Sequence, residues 1–433
     1  MFRRIRLLGA LVPLFGAVAF PISASSATKG VPIPVADSSL KASFATLGGV
    51  APLSTDRTVA HFASSNVDPT NNVRYRYNMV GADPWNCSGA ACSTTVQVDI
   101  VPVTVNYYGW SFSADQATVA ATLASPQFAT NDYASTPYAT VPGNGTTTFD
   151  VRGSGGKLSD GDAGVSLQLQ DATMRAQFNL TGANSPYHLI LQPNVLPGVT
   201  INVPQNQGTL LQSGRGVVFA DVDNGWWSSQ INNLEAQANE THLVLFLTRD
   251  VFTYEANNPY NCCILGFHGA KARSSNGNGS QKVQTFAWAS YISPGLYSRA
   301  NGGSEWALQD IHALSHEIAE WADDPFVNNT VQPWLTPTAP QYGCSLALET
   351  GDPVVGIGFA MGTNSYLQGA NPNGSQSADG YYHPEDEALA PWFLRQSPSW
   401  AEPTQSASSY SGRFTLMGDL NPYPGFRAPA TGC

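Results

Sequence analysis

The chain predicts an α+β fold: a mixed sheet packed against helices, with a β- and loop-rich N-terminal part. Two observations lead there. Runs of period-two hydrophobicity and one unbroken apolar run read as strands, and stretches of helical periodicity fall between them. Strands and helices mix without the strict alternation of a parallel βαβ sheet, which separates α+β from α/β.

The N-terminus reads as an export signal. Arg3, Arg4 and Arg6 precede an apolar run from Leu7 to Phe20, broken by Pro13 and Gly16, and Ser25-Ser26-Ala27 supplies small residues for cleavage. The flanking residues fit an ordinary basic leader better than a twin-arginine signal. Residues 1–27 are expected to be a signal peptide and the product to be secreted or periplasmic, because nothing later reaches the ~20 apolar residues of a membrane-spanning helix. Residues 28–90 are expected to be irregular, a propeptide or an embellishment, and 91–433 to form the α+β domain. No repeat or low-complexity linker divides it.

Next come two strand-like runs, Val96, Val98, Ile100 and then Val101, Val103, Val105. Pro102 between them implies an edge strand or a bulge where the phase shifts. Ser113-Ala-Asp-Gln116 has capping-box spacing and predicts a helix that stops before Pro126. Pro142 to Asp162 is rich in Gly, Ser and Thr and reads as loop or hairpin; Asp160-Gly-Asp162 lacks the later ligand positions of a calcium loop and reads as a turn. Helices are expected over 164–178 and 226–238, and strands over 187–191, 242–248 and 285–292. A further helix starting near Ser304 carries the most reactive segment, and another is expected from Pro384, at an N1-type position, to Arg395.

Composition excludes some functions. The formal charge is −11, loss of the leader's three arginines makes it more negative, and no basic run remains to follow a phosphate backbone. Neither nucleic acid nor a membrane is expected as a partner. Charged residues make up 12% of the chain, about half the usual ~25%, as in loop-rich exported proteins. The six cysteines, Cys87, Cys92, Cys262, Cys263, Cys344 and Cys433, read as disulfides, with about 15 pairings open. Cys87 with Cys92 is the easiest local bridge. In an extended chain Cys262 and Cys263 point to opposite sides, so at least one is expected to reach a distant partner such as Cys344 or Cys433.

The reactive segment is Ser315-His-Glu-Ile-Ala-Glu320. On a helix His316 and Glu320 lie one turn apart on one face and can share a metal ion, while Glu317 is offset towards the place of an attacking water. This is the layout of a zinc-hydrolase helix with Glu replacing the second His. The plain alternative is a solvated i,i+4 pair. His312 lies ~12 Å along the helix from Glu320, too far to share its ion. Asp324, before the helix-breaking Pro325, is a further ligand candidate, although a helix-end carboxylate more often satisfies local backbone donors. Glu349 and Asp352 flank a turn at Gly351, and either can complete the site. Glu317 then suits a general base, and zinc is the first choice, with calcium or manganese if oxygen dominates. His268 is a candidate catalytic or ligand residue facing the helix; the alternative is a histidine packed beside a disulfide. His383, Glu385 and Asp386 are explained by helix-terminus electrostatics, and His61, His188 and His242 have no constellation.

Cys263-Ile-Leu-Gly-Phe-His268, Ser315-His-Glu-Ile-Ala-Glu320, Asp324-Pro325, Gly343-Cys344 and Glu349-Thr-Gly-Asp352 together resemble a group of secreted proteins with a His-Glu-x-x-Glu helix, distantly similar to the plant phosphate-induced (exordium-like) proteins. A looser likeness extends through Gln170–Phe178, Tyr187–Leu191 and His383–Phe393. The resemblance implies a zincin-like arrangement around a central helix, with His316, Glu320 and the Glu349/Asp352 turn holding the metal and Glu317 beside it. Asp323 stands where that group has Ser or Thr.

The leading expectation is therefore a secreted zinc peptidase acting on an extracellular peptide or protein. The alternative is a non-catalytic extracellular binding or cell-surface protein with a structural metal or none. Trp226, Trp227, Trp306, Trp321, Trp334 and Trp392 make carbohydrate a further candidate ligand, but tryptophan is more often core or cleft wall. There is no Gly-x-Ser-x-Gly elbow and no Gly-rich phosphate loop.

Overall fold

The computed structural model describes residues 33–35, 42–47, 49–52, 56–132, 139–140, 166–178, 180, 184–214, 216–235, 238–273, 281–297, 307–337, 343–365, 380–396, 414–416, 424–426 and 428–433. The leader, the 142–162 loop and the expected helix start at Ser304 lie outside these residues. The fold is α+β. A mixed sheet of eleven strands runs in the order Val199–Asn202, Ser93–Tyr107, Leu243–Arg249, Lys282–Tyr291, Cys262–Arg273, Val251–Tyr254, Val218–Asp223 and Gly208–Gln212. Ser43–Leu47 joins along Cys262–Arg273, and Trp110–Ser113 and His188–Val195 join along Ser93–Tyr107.

The strand Leu243–Arg249 shows why its run is unbroken. Leu243, Leu245 and Leu247 belong to the core on one face of the sheet, whereas Val244 and Phe246 belong to the core on the other. A central strand covered on both faces has no polar side. The same logic corrects the reading of Pro102. Ser93–Tyr107 is one continuous interior strand, with Val96, Val98 and Ile100 facing one core and Val101, Val103 and Val105 the other. The apparent phase shift is a change in which face is covered. Pro102 is tolerated because its neighbour on one side is interrupted there: His188–Val195 ends opposite Ile100, and Val199–Asn202 resumes opposite Val103.

Helices sit on both faces. Helix α1 (Gln116–Ala124) is capped by Asp115, which accepts the Thr118 amide at 2.8 Å, so the cap is Asp115 and not the expected Ser113, which ends a strand. Helix α2 (Leu169–Gln177) starts later than expected. Helix α3 (Asn224–Leu234) is capped by Asp223 and buries Trp227 against Trp288, their rings 5.4 Å apart. Helix α4 (His312–Asp323) starts well after Ser304, because Asp310 adopts a φ of 45° and pairs its backbone with Ile292. Helix α5 is only Ala390–Phe393, not the expected helix from Pro384. The residues before it spend their amides on tertiary partners: Glu385 on Ser315 Oγ, Asp386 on the Ile357 carbonyl and Ala388 on the Thr350 carbonyl.

Within the N-terminal stretch that lacks sustained periodicity, His61–Val67 and Arg74–Val80 form a hairpin. Asn329 clamps it, accepting the Asn78 amide at 2.9 Å and donating to the Asn78 carbonyl at 2.7 Å. The disulfides are Cys87–Cys92, as expected, Cys344–Cys433 and Cys262–Cys263. The last corrects the expectation of a distant partner, which assumed an extended trans chain; the peptide bond between these residues is cis, with Cα atoms 3.0 Å apart. Trp227, Trp321, Trp334 and Trp392 are all fully buried core residues. Among the described residues no helix is long and apolar enough to cross a membrane.

Candidate metal centre

Every residue of α4 is buried, the polar ones included. A helix with His312, Ser315, His316, Glu317, Glu320 and Asp323 in its sequence is costly to bury unless those groups meet polar partners or stay neutral, because an unpaired buried charge is expensive. Its apolar residues fix it against the sheet, and Trp321 Nε1 donates to Thr285 Oγ1 at 3.0 Å. Its polar side meets His268 from the strand Cys262–Arg273, the turn Glu349–Asp352, and the extended segment His383–Glu387.

His316 is held from all sides. Its Nε2 lies 3.1 Å from Glu320 Oε1 and 4.0 Å from Asp352 Oδ1, and its Nδ1 lies 2.6 Å from Glu385 Oε2. Phe44 stacks on the ring at 3.4 Å and 14°. A Cβ on Gly351 would come within 2.3 Å of Nδ1, so only glycine lets the turn approach this closely. Burial alone would pull the imidazole down, but Glu320 and Glu385 outweigh it and hold His316 well above its ordinary value. Burial likewise works to raise Glu385, but His312 and His316 hold it below the usual range. His312 Nε2 lies 3.3 Å from the other Glu385 oxygen, and the Gly356 amide donates to that same oxygen at 3.2 Å. His312 therefore supports the partner of His316.

Glu317 and His268 face each other beside this pair. His268 Nδ1 lies 3.4 Å from Glu317 Oε2 and 3.6 Å from Glu320 Oε2, and its Nε2 lies 3.8 Å from Glu349 Oε2. Neither ring nitrogen of His268 and neither oxygen of Glu317 makes a hydrogen bond, although both side chains are wholly buried. Gly266 makes room for Glu317, since a Cβ there would lie 2.7 Å from its Cγ. Burial pushes Glu317 well above the carboxylate range and lowers His268 to about 4. Burial, followed by the Glu320 charge, also raises Glu349.

Two trios of potential ligand atoms result, each with its atoms within 4.8 Å of one another: His316, Glu320 and Asp352, and His268, Glu317 and Glu320. The structure thus brings together His268, His316, Glu317, Glu320, Glu349 and Asp352. Asp324 is placed differently. Its carboxylate accepts the amides of Asn328 and Asn329 at 2.9 and 3.1 Å and closes the turn after the helix. Glu385 was not among the sequence candidates, and helix-terminus electrostatics does not explain it, since residues 383–387 are not helical. It sits in the run His383-Pro-Glu-Asp-Glu387, which is polar apart from proline and is nevertheless buried throughout, a burial that no local pattern announces. Of the other histidines, His188 pairs with Asp171 and His242 with Asp99, both at 2.8 Å and away from this cluster.

Comparison of the chain with protein-family models, with curated proteins and with solved structures finds no match, so its function is read from the chemistry of this buried cluster.

Proposed function

We propose that the protein is an exported metal-dependent hydrolase, a peptidase before any other class, with one divalent cation held by His316, Glu320 and Asp352 and with Glu349 close by. The observation that carries this is the pose of His316: a carboxylate holds Nδ1 and leaves Nε2 facing Glu320 and Asp352. A carboxylate behind the far nitrogen of an imidazole is the usual support of a metal-ligating histidine. One nitrogen and two carboxylate donors suit zinc, with manganese or calcium as alternatives.

Such an ion supplies Lewis acidity towards a substrate carbonyl and makes water more acidic. Glu317 accepts the proton of the attacking water and returns it to the leaving amine. Burial favours the protonated acid in the metal-free chain, and a cation beside it would draw Glu317 back towards the ionised form that accepts a proton. Asp352, with 36% of its side chain exposed, and half-buried Phe44 mark the side of the cluster nearest solvent, where an extended peptide would enter. The three disulfides suit an oxidising compartment and hence the proposed export. We place the protein in the secreted His-Glu-x-x-Glu group on the same footing.

A second reading has its own support. His268, His316 and Glu317 are buried completely, which favours a structural cation in a non-catalytic extracellular binding protein. Incubation of metal-loaded protein with denatured protein substrates, wild type beside Glu317→Gln, separates the two. Hydrolysis abolished in the variant at unchanged metal content supports the peptidase, and no hydrolysis by either supports the structural cation.

A further inference from the structure

We infer that the protein has a second, weaker divalent-cation site formed by His268, Glu317 and Glu320, and that filling it switches the first site off. This rests on the proposed metal centre. The two oxygens of Glu320 point in different directions: Oε1 lies 3.1 Å from His316 Nε2, and Oε2 lies 3.6 Å from His268 Nδ1. One carboxylate is thus common to both trios, the arrangement by which a carboxylate bridges two ions.

The second trio has the dimensions of a coordination shell. Donor atoms bound ~2.1 Å from a common ion in tetrahedral geometry stand about 3.4 Å apart. His268 Nδ1 is 3.4 Å from Glu317 Oε2 and 3.6 Å from Glu320 Oε2. An acidic cluster alone would not make a site. Here both ring nitrogens of His268 and both oxygens of Glu317 are fully buried without a hydrogen-bond partner, and His268 Nδ1 and Glu317 Oε2 face each other at 3.4 Å. Gly266, two residues before His268 on its strand, clears that space for Glu317. Buried polar groups without partners are costly, and a bound cation is one partner that would satisfy these.

Order and consequence follow from charge. A second dication sharing Glu320 with the first meets its repulsion at close range and binds more weakly, and the first is taken by His316, whose far nitrogen a carboxylate already holds, rather than by His268, whose ring has no such support. It also takes the Glu317 electron pair that would accept the proton of water. Zinc at one equivalent activates; excess zinc inhibits.

Full-length protein, stripped of metal by chelation, is titrated with zinc against a chromophoric competitor. The expected result is two equivalents, the second weaker by about tenfold or more because of dication repulsion, with His268→Ala and His268→Gln retaining the first and losing the second. Cobalt titration of the wild type gives the same information without a variant, since paramagnetic resonance intensity per cobalt drops when a carboxylate couples a second ion to the first. A single equivalent with uncoupled cobalt overturns the second site and leaves the proposed centre standing. No binding removes both. Two equivalents that persist in folded His268→Ala and His268→Gln overturn the assignment to these residues.

Discussion

His316 Nδ1 lies 2.6 Å from Glu385 Oε2, across 69 positions of sequence, and this contact aims the other nitrogen of the ring at Glu320 and Asp352. The catalytic-looking helix is therefore finished by a segment that has no helical structure of its own. Glu385→Gln replaces the charged partner with a neutral one of nearly the same shape. Metal affinity is expected to fall by about 10- to 100-fold with the fold retained. Competition with a chromophoric chelator measures it, and unchanged affinity would remove Glu385 from the site.

Gly351→Ala tests the close approach of the turn. Its new Cβ would sit 2.3 Å from His316 Nδ1, so the ring or the turn must move. Overpacking of this kind costs about 1–3 kcal/mol. Thermal melting should show a lower midpoint, and metal analysis should show reduced occupancy. A variant as stable and as well loaded as the wild type would mean that the turn does not press on the ring.

Glu317→Gln keeps the size of the side chain and removes its basicity. Loss of a positioned proton acceptor lowers turnover by about 10²- to 10⁴-fold. The ion held by His316, Glu320 and Asp352 should remain. Full activity in this variant would exclude Glu317 as the base.

The pH dependence of the metal-free protein follows from the carboxyl groups kept protonated by burial. Asp323 is pushed up to about 7, chiefly by burial, and so binds its proton more tightly folded than unfolded. Its contribution to stability is complete below its ordinary value and is lost as pH rises through 7. His316, also raised, adds a contribution that is lost as pH climbs through its elevated value. Glu320 and Glu385 are lowered, so their contributions fail only in acid, below the usual carboxylate range. Chelated protein should therefore melt lower at about pH 8 than at about pH 5, and added zinc should raise the midpoint most at the higher pH. Melting curves in chelator and in zinc at both values check the sign.

The Cys344–Cys433 bridge closes a segment of 89 residues that includes the Glu349–Asp352 turn and Glu385. By the loop-entropy relation, Cys433→Ser costs about 4.6 kcal/mol. Reduced metal retention should accompany the lower midpoint, since both supporting segments lie inside the loop. A purely local effect would leave metal content unchanged.

Much of this was legible in the sequence, for identifiable physical reasons. His316, Glu317 and Glu320 are spaced by one helix, so their relation needs only 3.6 residues per turn. The buried strand Leu243–Arg249 announced itself by having no polar side. His268 was placed near the helix by the strand that precedes it, and the Glu349–Asp352 turn by its glycine. Glu385 was not legible, because Pro384 and two acids at a helix start make a familiar local pattern, and nothing local reports that Ser315 and Ile357 take the amides such a helix would need. Asp324 was ambiguous for the opposite reason: its backbone partners, Asn328 and Asn329, are local, and they took it. Pro102 misled because two covered faces along one strand look, in sequence, like a bulge. Phe44 lies 272 residues before the ring on which it stacks, with no spacing rule to connect them.

Elemental analysis of the purified protein beside His316→Ala and Glu320→Ala shows whether α4 holds a metal. A metal centre at His316 and Glu320 requires at least one tightly held divalent cation per wild-type chain, zinc before manganese or calcium, and its loss from both variants. No bound cation in the wild type, and no uptake when zinc, manganese or calcium is added, would contradict it and leave the buried acids and histidines of α4 as purely structural pairs.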